Sequence, residues 1–326
     1  MGSVKVGATT LIGGVRYERT EADFTGKNVD LENETVLGRN RVSRSYDQWL
    51  PGLYLRHDLG PRTVARASWS HSLARPSFGD SAAFVGINPD DEEITAGNPY
   101  LEALESTNWD ASIDYYLPSL GVLSAGVFYK QIENFSYEIT LDAAANGYPT
   151  FAGYDLITFR NGSDGDIRGL ELAYQQQLRF LPAPFDGLGL LANVTFTDSS
   201  ATYPTRPGEE LPFIGNSKRI GNLALSYEKA GFFVRLALNF RSERLREDEP
   251  VGEDAAGDRY VDDFTQLDLT VRYRLNQNWE VFAEGINLTD EPFRVYFRSP
   301  GTTQGRRLAQ FEEYGWSANF GVRWSL

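Results

Sequence analysis

A chain of 326 residues with 31 basic against 45 acidic side chains, net charge −14, lacks the basic footprint that nucleic-acid binding requires. Cysteine is absent, which excludes a disulfide framework and a thiolate metal site. No run approaches the roughly 18 consecutive apolar residues of a transmembrane helix, and the negative mean hydropathy leaves a membrane barrel open, because wet-facing residues and polar loops dilute its apolar face.

The start, Met1-Gly2-Ser3-Val4-Lys5-Val6-Gly7, has no basic-then-apolar secretory leader and enters a strand pattern almost at once. A mature, cut-down or partial chain is the expectation. Successive residues of a strand face opposite sides, so alternation is the signal to follow. From Val4 to Glu18, Leu11, Gly13, Val15 and Tyr17 share a face. A polar loop is expected from Arg19 to Asn40, then a strand with Trp49, Leu53 and Leu55 on one side. A turn at Leu59-Gly60-Pro61-Arg62 leads to Ala65, Ala67 and Trp69, and a long loop is expected from Arg75 to Pro99. The clearest hairpin follows. Trp109, Ala111, Ile113, Tyr115 and Leu117 oppose Asn108, Asp110, Ser112 and Asp114; beyond Pro118-Ser119, Leu123, Ala125, Val127 and Tyr129 oppose Ser124, Gly126, Phe128 and Lys130.

Asn134 to Ser163 is expected to hold an extended strand end plus an outer loop, followed by Leu170, Leu172 and Tyr174 against Glu171 and Gln175. A turn near Leu181-Pro182-Ala183-Pro184 introduces Leu188, Leu190, Ala192, Val194 and Phe196 against Asn193, Thr195 and Thr197. Leu223, Leu225 and Tyr227 pass through Glu228-Lys229-Ala230-Gly231 to Phe232, Val234, Leu236, Leu238 and Phe240, with Arg235 on the other face. An acidic loop from Glu243 to Asp263 precedes Leu267, Leu269, Val271 and Tyr273, opposed by Asp268, Thr270 and Arg272. Trp279, Val281 and Ala283 follow a turn at Asn276-Gln277-Asn278. A loop from Asn287 to Gln310 leads to Tyr314, Trp316, Ala318, Phe320, Val322 and Trp324.

These segments predict an all-β fold of about twelve antiparallel strands, in one domain over residues 1–326. Connections alternate between short and long, the asymmetry of an outer-membrane β-barrel with short periplasmic turns and long outer loops. Strands of about ten residues, at roughly 3.3 Å each and tilted near 45°, span about 23 Å, close to the apolar band of such a barrel. Aromatic residues near strand ends suit the headgroup level. Mid-strand charges such as Asp110, Asp114, Arg235 and Arg272 suit a wet lumen and not lipid.

Several stretches carry a resemblance: Gly97-Asn98-Pro99-Tyr100-Leu101, Glu105-Ser106-Thr107-Asn108-Trp109-Asp110, Gly126-Val127-Phe128-Tyr129-Lys130, Gly169-Leu170-Glu171-Leu172-Ala173-Tyr174, Asn287-Leu288-Thr289-Asp290, and the ending Tyr314-Gly315 through Gly321-Val322-Arg323-Trp324. Together they resemble the C-terminal half of the barrel of TonB-dependent outer-membrane receptors, most of all the large alphaproteobacterial and xanthomonad group. The resemblance implies bacterial outer-membrane localisation and uptake of a carbohydrate, siderophore or similar nutrient ligand, energised by TonB through a plug. It also implies lipid and lipopolysaccharide as surroundings, and no cofactor. That barrel has about 22 strands; about ten of them are expected to be missing here, with the plug and its TonB-contacting segment. The chain ends in Leu326, where outer-membrane proteins usually end in an aromatic residue; Trp324 lies two residues earlier.

Candidate lumen-lining residues are Arg66, Asn108, Asp110, Asp114, Lys130, Glu171, Asn193, Arg235 and Arg272, each equally explained as ordinary lumen polarity. His57 and His71 invite comparison with barrel phospholipases that use Ser, His and Asn, since His71 precedes Ser72 and Asn108 sits on a nearby wet face. No local motif supports a nucleophile there, and no enzymatic activity is expected. Asp90-Asp91-Glu92-Glu93 and Glu247-Asp248-Glu249 through Glu253-Asp254 have no dedicated cation-loop spacing and read as solvated outer loops, and Asp164-Gly165-Asp166 reads as a loop-to-strand junction. Open strand edges are not tolerated in lipid, so the chain is expected either to close its first strand onto its last or to be part of a larger wall. The alternative function is therefore a small passive channel formed by a closed barrel of about twelve strands.

Overall fold

A computed structural model of the chain describes residues 1–246, 257–298 and 306–325. β1 (Gly2–Val6) turns at Gly7 into β2 (Thr9–Asp30), which pairs along its length with β3 (Thr35–Gly60). β4 (Thr63–Ala74) follows, and the next connection carries β5 (Val85–Asn88) and β6 (Glu93–Ala96). The ladder resumes with β7 (Leu104–Leu117) and β8 (Gly121–Glu133); the next connection holds β9 (Ser136–Asp142) and β10 (Asp155–Asn161). Then come β11 (Asp164–Gln177), β12 (Leu188–Ala201), β13 (Arg219–Lys229) and β14 (Phe232–Arg241). β15 (Arg244–Leu245) and β16 (Arg259–Val261) precede β17 (Phe264–Arg274) and β18 (Trp279–Ile286); β19 (Phe293–Arg298) and β20 (Arg306–Glu312) precede β21 (Ser317–Trp324). Among the described residues there is no α-helix, and no helix long and apolar enough to cross a membrane.

Thirteen strands, β1–β4, β7, β8, β11–β14, β17, β18 and β21, pair as consecutive antiparallel neighbours and form a wall. Register keeps each face pure. The row Ile113, Ala125, Leu172, Val194, Gly221 and Phe240 crosses six strands without changing sides. Its apolar side is left uncovered by protein: Val127, Leu223 and Phe320 are all exposed. Aromatic pairs mark both ends of that face, with Tyr17–Trp49 at 4.9 Å and Trp109–Tyr129 at 5.6 Å at one end and Trp279–Trp324 at 6.3 Å at the other. Short turns close the second end. The two-residue turn Ala230–Gly231 takes φ of 51° and 80°, the doubly left-handed geometry whose twist matches the flanking strands.

Two expectations need correction. The segment from Arg19 to Asn40 is not a polar loop. β2 and β3 are 22 and 26 residues long and meet at a turn over residues 31–34, so the hairpin stands well beyond its neighbours. Its upper part has polar residues on both faces because neither meets lipid, and without apolar alternation the strand leaves no trace in the sequence. Second, thirteen wall strands stand where about twelve are predicted; the extra one is the five-residue β1. Among the described residues no pairing joins β1 to β21, so the ladder is open.

The long connections on the other end build a crown. β5 adds in parallel to the top of β2, β6 pairs with β5, β10 adds in parallel to β6, and β9 pairs with β10. A separate sheet runs β15-β16-β19-β20. These layers have true cores: Val85, Ile87, Ile94, Ala96, Ala143 and Leu156 form one, and Ile132, Phe135, Tyr137, Ile139, Ala201, Tyr203 and Leu211 another. The first layer docks on the polar face of the β2–β3 hairpin at Gly26, where an added Cβ would lie 2.1 Å from the Ala83 carbonyl oxygen. Any larger residue there would push the layer off.

Candidate functional site

All nine sequence-predicted residues share the polar face of the wall, but they do not form one constellation. Arg66 is ion-paired with Asp114, whose other oxygen accepts from Ser124 Oγ at 2.6 Å. Ser68 Oγ donates to Asp110 at 3.2 Å, and Arg66, Asp110, Arg56 and Tyr54 line a cavity of about 360 Å³. Charges held this way in mid-strand satisfy one another while remaining reachable from a wet interior. Asn108 is buried, with Nδ2 donating to Ser72 Oγ at 3.0 Å and to the Ser70 carbonyl at 3.3 Å. Lys130, directly across from Asn108, lies 5.9 Å from the Phe128 ring centre.

The other four are spread along the ladder. Glu171 is exposed beside Gly126. Asn193 accepts from Asn222 Nδ2 at 2.8 Å. Arg235 is exposed between Ser226 and Thr270. Arg272 stacks over Phe233, its guanidinium carbon 4.2 Å from the ring centre.

A second, larger cavity lies in the crown and was not foreseen from the sequence. It has a volume of about 590 Å³, within the usual range for ligand pockets of about 300–1,000 Å³. β3 contributes Arg39, Asn40, Arg41 and Val42; the connection before β7 contributes Asn98, Pro99 and Tyr100; Asn146, Tyr148, Phe159 and Arg160 come from β10 and the segment before it. Asn40 Nδ2 ties β3 to β2 and to the crown layer, donating to Asn28 Oδ1 at 2.6 Å and to the Ala83 carbonyl at 3.2 Å. Arg44 Nη1 donates to the Leu101 carbonyl at 2.9 Å, and Asn98 Nδ2 to the Phe159 carbonyl at 2.9 Å. Long connections are therefore pinned to the strand that forms the pocket's back wall. The only hint in the sequence is the Gly97–Leu101 stretch, which supplies one side of it.

The crown holds a further polar lock. Arg206, with its side chain 1% exposed, donates from Nη1 to both Asp258 carboxylate oxygens at 2.8 and 3.0 Å and pairs with Glu209 through Nη2. It ties the connection after β12 to the one after β14. Beside it Tyr203 is fully buried, and burial pushes its phenol well above the ordinary tyrosine range.

Face alternation dismantles the Ser/His/Asn grouping. His71 shares the apolar-side register of Trp69 and Thr107, and its ring nitrogens contact Thr107 Oγ1 and Glu105 at 3.0 Å each. Ser72 and Asn108 lie on the opposite face. His57 contacts Thr9 Oγ1 at 2.8 Å. Among the described residues no three His, Asp or Glu side chains converge as a metal site; the acidic run from Glu247 to Asp254 lies outside the described residues.

The chain matches the family "TonB dependent receptor-like, beta-barrel" over residues 1–288. No curated protein matches it. Among solved structures it is similar to a mutant ferric enterobactin receptor from Pseudomonas aeruginosa, with 16% identity over 97% of this chain and 43% of that one, TM-score 0.60. It is similar to the ferric yersiniabactin uptake receptor of Yersinia pestis, with 14% identity over 98% and 43%, TM-score 0.61. It is also similar to the copper transporter OprC, with 14% identity over 99% and 46%, TM-score 0.67. At such identities the likeness is one of fold. The chain spans less than half the length of each of these three.

Proposed function

The chain belongs to the TonB-dependent receptor-like β-barrel family, and on that premise we propose that it serves as the wall and ligand-collecting crown of an outer-membrane nutrient receptor and transporter. The nutrient is a small molecule of carbohydrate, siderophore or similar type, and uptake is energised by TonB acting on a plug. Enterobactin, yersiniabactin and copper are the cargoes named for the matched proteins; they differ widely in size and choose no ligand for this chain. One observation carries the reading: the wall separates an uncovered apolar face from a face bearing Arg66, Asp110, Asp114, Arg235 and Arg272, and roofs one end with a pocket-bearing crown. Lipid on one side and a wet passage on the other satisfy both faces. No catalytic role is assigned.

The test is uptake by cells that carry the protein in the outer membrane. Accumulation of the ligand is expected to stop when the proton gradient of the inner membrane is collapsed; undiminished uptake would rule out an energised receptor. The passive-channel alternative requires β1 to pair with β21, a contact absent among the described residues. A stable open conductance from this chain alone in a planar bilayer would support that alternative instead.

A further inference from the structure

The uncovered apolar face of the wall is not evenly filled. A groove of about 680 Å³ runs along two of its cross-strand rows, and the surface it offers is almost wholly apolar. Its floor is low because Ala125, Ala192 and Gly221 stand among larger residues such as Tyr115, Leu223 and Phe240. Gly221 answers no backbone need. Its φ is not positive, and an added Cβ would meet nothing closer than the Asn193 carbonyl oxygen at 3.6 Å. The space is open to a guest where a side chain could have filled it.

The groove climbs across the wall. On β7 it begins at Tyr115, two residues before that strand ends at the short turns; on β14 it reaches Phe240, one residue before that strand ends beneath the crown. Six strands about 4.8 Å apart span about 24 Å. Rows that cross strands tilted near 45° tilt equally, so the groove rises about 17 Å, close to one leaflet of a hydrocarbon core about 30 Å thick. Its lower mouth is polar. Tyr115 lies directly across from Thr63, and the neighbouring Arg62 is exposed, its side chain without a hydrogen-bond or ion-pair partner among the described residues. The Arg62 carbonyl accepts from the Tyr116 N–H at 2.8 Å, which holds that turn against the mouth. An amphipathic ring and an unpaired guanidinium at the end of an apolar channel match the glycerol region and phosphate of a phospholipid.

We propose that this groove is a fixed site for one acidic phospholipid of the leaflet on the short-turn side. One acyl chain lies along Ala125, Ala192 and Gly221, and the phosphate sits at Arg62. This deepens the receptor reading and rests on it for the presence of lipid on this face. Elsewhere on the face lipids exchange freely; here one molecule is retained.

The experiment is photolabelling of the full chain in phosphatidylcholine vesicles that carry a trace of phosphatidylglycerol with a diazirine at the end of one acyl chain. Labelled positions are read by mass spectrometry, and phosphatidylcholine with the same diazirine chain is the zwitterionic match. The phosphatidylglycerol label is expected to concentrate near Gly221 and Phe240 over Val127 and Phe320, and the phosphatidylcholine label to spread evenly over the face. Gly221→Leu, which fills the groove, is expected to abolish the concentration, with unchanged label at Phe320 showing that the wall still forms. Arg62→Gln, in a turn outside the groove, is expected to lower the concentration about fivefold, the scale of one cation at a membrane surface. Arg62→Lys keeps the charge and is expected to retain most of it. The proposal is overturned if the phosphatidylglycerol label spreads evenly, if phosphatidylcholine concentrates as strongly, or if Gly221→Leu or Arg62→Gln labels as the parent does. An even spread removes this inference alone; absence of label from the whole apolar face removes the receptor reading with it.

Discussion

The wall and the crown are built from the same kind of strand and stabilised by opposite means. In the wall, large apolar side chains such as Leu223, Val127 and Phe320 point away from all protein, and cohesion comes from the ladder and from the lipid expected around it. In the crown, Ile94, Ile139, Tyr203 and Val295 are the most completely buried large side chains among the described residues, and the layers around them pack as an aqueous domain does. The wall depends on its solvent and the crown on its own core. A substitution should therefore damage one region and spare the other.

The sharpest break is Tyr203→Ala. It empties a site bounded by Phe135 and Tyr137 with ring centres at 5.2 and 5.0 Å, and should cost the crown about 3–5 kcal/mol. Hydrogen exchange should rise in residues 134–142 and 201–214 while the wall strands keep their protection; equal loss in both would erase the distinction. Arg206→Ala should cost a comparable or slightly smaller amount within the range of about 3–5 kcal/mol, because it leaves Asp258 buried without its guanidinium. Limited proteolysis at the two connections it ties should speed up, and Arg206→Lys should recover only part of the loss, because one ammonium cannot replace the two nitrogens that hold Asp258 and Glu209 separately.

Leu223→Arg tests the other half. It puts a charge on the uncovered apolar face and should cost about 2–4 kcal/mol in a bilayer. In denaturant titrations from vesicles the wall should weaken while crown exchange is unchanged; no effect would mean that this face does not meet lipid. Trp109→Ala is the mildest. Its stacked contact with Tyr129 is worth about 0.5–1.5 kcal/mol beyond burial, and its loss should show as a small shift in the same titration.

The wall was legible because lipid and lumen impose a period of two. Trp109, Ile113 and Tyr115 could be assigned to one face, and Asp110 and Asp114 to the other, before any coordinates, and the register keeps them there. The upper half of the β2–β3 hairpin was illegible for the same reason. Asp23, Thr25, Arg41 and Ser43 face water, Asn28, Asn40 and Arg44 face a polar layer, and nothing alternates. The nine polar candidates were placed on one face by parity, yet parity could not tell that Arg66 is paired with Asp114 or that Arg235 stands apart.

By itself the sequence determined the strand class, the two faces of the wall, the uneven connections and the family resemblance, because each is written in neighbouring residues and repeats every second position. Only the tertiary structure decided what the long connections do. The parallel additions of β5 to β2 and of β10 to β6, the lock between Arg206 and Asp258, and the bond from Asn98 to the Phe159 carbonyl all join residues far apart in the chain. Such contacts depend on where a folded wall brings its loops together, and no local period encodes that.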